Sequence, residues 1–192
     1  MLLMARPINF DPQQVLLTAT RVFYERGYEE TGIEDIVRAA GVSRHSLYRR
    51  WGDKDGLFAA CLAIYGGYTQ GTVMAPLQPE RGRQGVLDFI DALSSELVAE
   101  PVPACLMVQT LLRTGPDAAT TERARDHFRT LSERAAACLR IAAERGEVSA
   151  SVDPDGIGEL LALIVQGLSV SRRSGLDVER TRAALASVKA LL

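Results

Sequence analysis

The sequence predicts an all-α chain of about nine helices, four in an N-terminal head and five in a C-terminal body. Three observations predict it. Apolar residues recur at spacings of three and four in each long segment, no segment alternates with a period of two, and helix openings and stops punctuate the chain at matching intervals. With 192 residues and 47% apolar content, the chain is long enough to bury a proper core.

The first helix opens at Asp11-Pro12, a capping carboxylate followed by a residue whose missing amide costs nothing in a first turn. Val15, Leu16, Ala19, Val22 and Phe23 form its apolar face, and Gly27 stops it. Tyr28 reads as core filler at the corner. Thr31 with Glu34 three residues on is a capping-box spacing, and Ile33, Ile36, Val37 and Ala40 share one face behind it. Gly41 can take the left-handed conformation that ends this second helix, Val42 returns to the core, and Ser43 can cap a third. A fourth helix from Asp53 to about Tyr65 carries Leu57, Phe58, Cys61, Leu62 and Tyr65 on one side. Gly66, Gly67, Gly71, Pro76, Pro79 and Gly82 then mark a break.

Beyond it, Gln84 to Ala99 is amphipathic through Val86, Leu87, Phe89, Ile90, Leu93 and Leu97, and Pro101 and Pro103 interrupt the pattern. Ala104 to Arg113 is apolar nearly all round, the mark of a short helix buried in the body. Thr121 to Arg145 is the longest helix; Ala124, Phe128, Leu131, Ala135, Cys138 and Ala142 make a bundle seam along it. Asp153-Pro154 repeats the opening device and leads into a broad face of Ile157, Leu160, Leu161, Ile164, Val165 and Leu168. Gly175 stops that helix, and Val178 to Leu192 forms the last, with Leu185, Val188 and Leu192. The domain division expected is a head of residues 1–52 with a connecting helix from 53, and a body of 53–192.

The third helix is the informative one. Leu47 is its only large aliphatic residue, so it is anchored at one point and shows solvent Arg44, His45, Ser46, Tyr48 and Arg49. From Arg38 to Gly52 there are four arginines and no acidic residue, whereas residues 1–65 balance at eight Lys/Arg against eight Asp/Glu. A local cationic face on a neutral head is the footprint of phosphate binding. A solvated charged helix would show the same charge. The caps, the glycine turn and the sparse anchoring together favour a helix-turn-helix presenting Ser43 to Arg50 to a DNA major groove. The net charge of −2 argues against wholesale coating of nucleic acid, so any contact must be local.

The run AAGVSRHSLYRRWGDKDGLF, with GYEETGIEDI before it, resembles the DNA-binding domain of the TetR/AcrR family of bacterial transcription regulators, without gaps over about residues 10–62. Trp51 stands where phenylalanine is common and Gly32 where serine or threonine is frequent; the N-terminal arm has few of the basic residues many relatives carry. The resemblance implies that Arg44, His45 and Ser46 face base edges and that Tyr48 and Lys54 hold the DNA backbone. Thr31 and Arg49 complete the expected DNA-contacting set. It also implies a ligand-binding and dimerisation body. A small effector would lie between its helices, with Phe89, Leu93, Cys105, Gln109 and Gln166 as candidate contacts; both glutamines sit in apolar runs, where a buried amide needs partners. Dimerisation would use the last two helices, with Ile157, Leu161, Ile164, Leu168, Leu185 and Val188 as candidates. A dimer suits the physics, since one recognition helix makes too few contacts for a useful specific site.

Other chemistry is not apparent. Two histidines, His45 and His127, and three widely spaced cysteines, Cys61, Cys105 and Cys138, give neither a metal cluster nor a disulfide framework. No nucleophile elbow or glycine-rich phosphate loop is present. A Cys105/His127 pair is the one catalytic arrangement that can be drafted, and a cysteine beside Leu106, Met107 and Val108 is more often a small buried hydrophobe. Neither a cofactor nor a metal is expected, and the chain carries no signal-peptide pattern, so the cytoplasm is the expected compartment. The expectation is a dimeric, ligand-responsive repressor of a palindromic operator. The rival is the same fold acting as a ligand or partner binder without specific DNA recognition.

Overall fold

The computed structural model describes residues 10–98, 105–113, 115, 117–173, 175 and 177–192. Among them the regular structure is entirely helical: α1 (Pro12–Arg26), α2 (Ile33–Ala40), α3 (Arg44–Trp51), α4 (Lys54–Gly71), α5 (Gly82–Val98), α6 (Leu106–Leu111), α7 (Ala118–Glu144), α8 (Pro154–Arg173) and α9 (Val178–Ala190), with a 3-10 turn at Pro79–Arg81 before α5. The N-terminal arm (residues 1–9), the end of the predicted fifth helix at Ala99, the break at Pro101 and Pro103, and Ala104 lie outside the described residues. No helix among the described residues is long and apolar enough to cross a membrane.

The chain divides into two compact units, one through Tyr65 and one from Gly66. The division falls inside α4, which continues through Gly66 and Gly67 to Gly71. In the first unit, Asp11 accepts the Gln13 amide at 2.9 Å and caps α1. The Gly27 amide, at φ 86°, donates back to the Phe23 carbonyl at 2.8 Å. The core is aromatic: Phe23 and Phe58 meet edge to face at 4.9 Å, and Tyr28 meets Phe58 at the same distance. Ile36, Leu57, Cys61 and Leu62, each no more than 1% exposed, complete it.

The start of α2 differs from the expected capping box. Thr31 is fully buried, and its hydroxyl donates to the Gly27 carbonyl at 2.6 Å, so it serves the end of α1. Gly32 is the N-cap, and its amide donates to Asp35 Oδ2 at 2.9 Å. A glycine has no side chain to return the bond, so only half of a box forms, one residue later than the spacing of Thr31 and Glu34 suggests.

In the second unit α7 is the central element. It packs against α5 and α6 and most extensively against α8. It starts earlier than predicted because Asp117 caps it, accepting the Ala119 and Thr120 amides at 2.9 Å each. Ala124, Phe128, Leu131, Ala135, Cys138 and Ala142 are buried along it, as the seam requires. The close approach of α8 depends on Gly158, where an added Cβ would lie 2.5 Å from the Ser132 carbonyl oxygen. The short α6 buries all five residues from Leu106 to Thr110.

Two residues expected at a subunit interface lie in the core of the body instead. Leu161 is 0% and Leu185 2% exposed, so both close the core of the body and have no surface left to offer a partner. Ile157, Ile164, Leu168 and Val188 are half-buried.

His127 sits in the α7 core at 5% exposure, edge-on to Phe128 at 5.3 Å, and its Nδ1 has no hydrogen-bond partner among the described residues. Burial disfavours the imidazolium and pushes its pKa from 6.5 down to about 4. A base whose folded pKa is depressed protonates first in the unfolded chain, so stability falls as pH drops from 6.5 towards about 4. The expected result is a His127 ring-proton titration by NMR with its midpoint near 4, and a smaller loss of thermal stability across that window in His127→Gln than in the wild type.

Candidate nucleic-acid interface

The head builds its exposed helix from a cap and a single anchor. Ser43 Oγ accepts the Ser46 amide at 3.1 Å, starting α3 shortly after the turn that Gly41 makes at φ 65°. Leu47, 1% exposed, is the buried residue of α3. The Gly52 amide donates to the Tyr48 carbonyl at 2.8 Å and ends the helix two turns later. Trp51 packs against Phe10, ring centroids 6.2 Å apart, which gives the larger ring a place where the family pattern has phenylalanine.

One buried side chain leaves the remaining surface of α3 to solvent. Arg44, His45, Arg49 and Arg50 are exposed, and Ser46 and Tyr48 half-exposed. The Ser46 hydroxyl accepts from Ser43 Oγ at 2.9 Å, which ties it to the cap. Arg44 is held from two sides. Its Nη1 lies 3.4 Å from Glu34 Oε1 on α2, its Nη2 donates to the Tyr48 hydroxyl at 3.1 Å, and its guanidinium carbon sits 5.2 Å from the Tyr48 ring centre. Lys54, the first residue of α4, is held similarly: Nζ lies 4.1 Å from the centre of the Tyr28 ring, and the Tyr28 hydroxyl donates to Asp55 Oδ1 at 2.7 Å. Each of these two cations thus rests on a tyrosine, while Arg49 and Arg50 carry no ion pair among the described residues.

The acids of α2 are engaged. Asp35 pairs with Arg26 at 3.1 Å and with Arg38 at 3.4 Å. The Gly32 amide, then these two arginines, hold its carboxyl below the ordinary 3.8. Arg38 is therefore paired within the head, as Arg44 is with Glu34, and the cations of α3 that carry no ion pair among the described residues are Arg49 and Arg50.

The structure brings together Arg44, His45, Ser46, Tyr48 and Arg49 on one short helix, with Lys54 three residues beyond its end. Thr31 is withdrawn from this set, since a fully buried side chain already bonded to a carbonyl cannot reach DNA. Two residues that sequence spacing does not single out join the site. In sequence Glu34 reads as part of a cap and Tyr28 as core filler; their partners lie ten and 26 positions away, and no local pattern announces them.

Phe89, Leu93 and Gln109 are buried, at 0%, 8% and 8% exposure, and Cys105 is half-buried. Gln166 lines a groove of about 350 Å3 with Leu111, Phe128, Ser132 and Glu159, and its Nε2 donates to the Ala162 carbonyl at 3.3 Å. The other four candidates do not line that groove.

The family model for bacterial regulatory proteins of the tetR family matches residues 15–61, from within α1 to within α4. The HTH-type transcriptional repressor ComR of Escherichia coli (strain K12) is 30% identical over 181 residues, which is 91% of this chain and 85% of that protein. The chain belongs to the TetR family. The HTH-type transcriptional repressor Rv1474c of Mycobacterium tuberculosis (strain ATCC 25618 / H37Rv) is 27% identical over 175 residues, 90% of this chain and 88% of that one. Among solved structures, the TetR family transcriptional regulator CifR, as a cysteine mutant complexed with 26-bp double-strand operator DNA, superposes with a TM-score of 0.83 at 25% identity, over 97% of this chain and 98% of that one. This TetR-family protein is a DNA-binding transcription regulator.

Because one side chain moors α3, truncating it should cost the head heavily. Leu47→Ala is expected to lower the stability of the first unit by about 2–5 kcal/mol, the range for deleting a buried leucine, as read by urea unfolding.

Proposed function

We propose that this TetR-family regulator is a repressor that binds a palindromic operator as a homodimer and releases it when a small molecule binds the body. The observation that carries the DNA reading is the pair of tyrosine-supported cations, Arg44 and Lys54, flanking an exposed cationic helix with one buried anchor. In a helix-turn-helix the first residues of the second helix meet base edges, which gives that role to Arg44, His45 and Ser46. Tyr48, Lys54 and Arg49 would hold phosphates, fixing register without reading sequence. The functional domains would be a head of 1–52 with a connecting helix from 53, and a body of 53–192.

Dimerisation is supported by the outer side of α8. Leu160, Leu163 and Val170 are 38%, 55% and 49% exposed. With Gly167, which has open space around it, they form a line at spacings of three, four and three. Ile157, Ile164, Leu168 and Val188, half-buried, would flank the contact. A C2 pair offers two copies of α3 to two half-sites. An effector in the body, with Gln109 and Gln166 as polar candidates beside Phe89, Leu93 and Cys105, would work by linkage. A ligand that prefers a conformation misfitting the operator weakens DNA binding by the same factor that DNA weakens its own binding. A regulator of this kind acts where the chromosome is, in the cytoplasm.

Two experiments test this. In titrations of a duplex carrying the gene's upstream region, Arg44→Ala is expected to cost about 1–3 kcal/mol and to relax preference at one base position. Lys54→Ala should weaken all sequences alike and reduce the slope of log K against log salt by about one. Identical behaviour of the two variants across sequences would refute the division of roles, and a random-oligonucleotide selection returning no motif would favour a binder without DNA specificity. Leu163→Glu is expected to give a monomer by analytical ultracentrifugation and to lose operator binding at concentrations where the wild type binds; a dimer of wild-type strength would exclude this face.

A further inference from the structure

The first turn of α2 carries two acids with different fates. Asp35 is consumed by the Gly32 amide and by Arg26 and Arg38. Glu34 takes no part in the cap, and the arginine one turn along its own helix, Arg38, is already turned to Asp35. Its carboxylate instead reaches across the turn to α3 and pairs with Arg44 at 3.4 Å, both side chains more than half exposed, at 64% and 60%. The residue expected to read a base is therefore already ion-paired within its own head before DNA arrives.

A guanidinium has five N–H donors. In Arg44 one goes to Glu34, one to the Tyr48 hydroxyl, and three remain. A guanine edge offers two uncharged acceptors, O6 and N7, to such a fork. It can be engaged with the Glu34 pair intact and without bringing a negative charge up to that carboxylate. A phosphate is different. It must compete with Glu34 for the same positive charge, and it brings a second anion beside the first. Non-specific DNA binding rests almost wholly on phosphates. The Glu34 carboxylate thus opposes the non-specific mode more than the specific one.

We propose that Glu34 is a specificity-determining residue: by holding Arg44 in an ion pair across the helix-turn-helix, it admits a base edge with two acceptors and rejects a lone phosphate. This rests on the reading of Arg44 as a base-contacting residue. The ion pair is exposed and worth little to folding, so its removal leaves the head intact.

The test uses the full chain and two duplexes of equal length, the best site from a random-oligonucleotide selection and a scrambled version of it, titrated by fluorescence anisotropy. Glu34→Gln is expected to tighten the scrambled duplex more than the selected one, so that the preference ratio falls by about two- to fivefold, the range of an exposed ion pair. Glu30→Gln, which removes the same charge from an exposed acid of the same unit, should move both duplexes alike and leave the ratio unchanged. In an Arg44→Ala background, Glu34→Gln should no longer alter the ratio, a coupling that a role confined to folding would not produce. The proposal is overturned if Glu34→Gln tightens both duplexes equally, or if its effect persists without Arg44. Should Arg44→Ala alone retain the wild-type sequence preference, the base-reading assignment falls and this proposal with it.

Discussion

The burial of one leucine governs how the exposed cationic helix can be built. α3 runs from Arg44 to Trp51, and Leu47 is its buried side chain. A helix this short is not stable in water by itself. It persists because Ser43 satisfies its first turn, Gly52 closes its last, and Leu47 is buried where α3 packs against α2. The same economy makes the helix useful, because each position not spent on packing is available for a ligand. A second anchor would stabilise α3 and remove an exposed position.

Supporting elements then determine how the exposed cations behave. A lysine or arginine on an open surface samples many rotamers, and ordering it on DNA costs entropy. Resting Arg44 on Tyr48 and Lys54 on Tyr28 narrows that sampling within the head itself. Tyr28 does this while closing the aromatic cluster with Phe23 and Phe58, so the position of Lys54 is tied to the core of the head. Asp35 acts in the complementary sense. By absorbing Arg26 and Arg38 it keeps positive charge off the flank of α2 and leaves it concentrated on α3.

Much of this is legible from the chain alone, for a physical reason. Caps, glycine stops and apolar spacing are local, so the helix count, Leu47 as anchor and the buried face of α7 follow directly from the residues. What does not follow is anything set by contacts distant in sequence. Thr31 and Glu34 have the right spacing for a box, but burial takes the threonine hydroxyl to Gly27 and the turn beyond it frees the glutamate for Arg44. Tyr28 reads as an apolar filler because its partner, Lys54, comes 26 residues later. In the body, Leu161 and Leu185 lie on apolar faces that serve one subunit's own core, and periodicity cannot say which of two apolar faces points inward.

That ambiguity has its own resolution in α8. A helix apolar on one side packs on its own chain and shows polar residues elsewhere. α8 departs from this: Leu161, Ala162 and Ser169 are buried on the inner side, while Leu160, Leu163 and Val170 run along the outer one. Single exposed leucines are ordinary on protein surfaces. A line of them on the far side of a helix that is already packed is not, because it forgoes the charged residues that would keep that side in water. Gly167 lies in the same line with open space around it, where a second backbone could approach closely. The broad apolar run from Ile157 to Leu168 thus wraps from the side that completes the body's core, through the half-buried Ile157, Ile164 and Leu168, to the exposed Leu160 and Leu163, further round than the core of one chain requires.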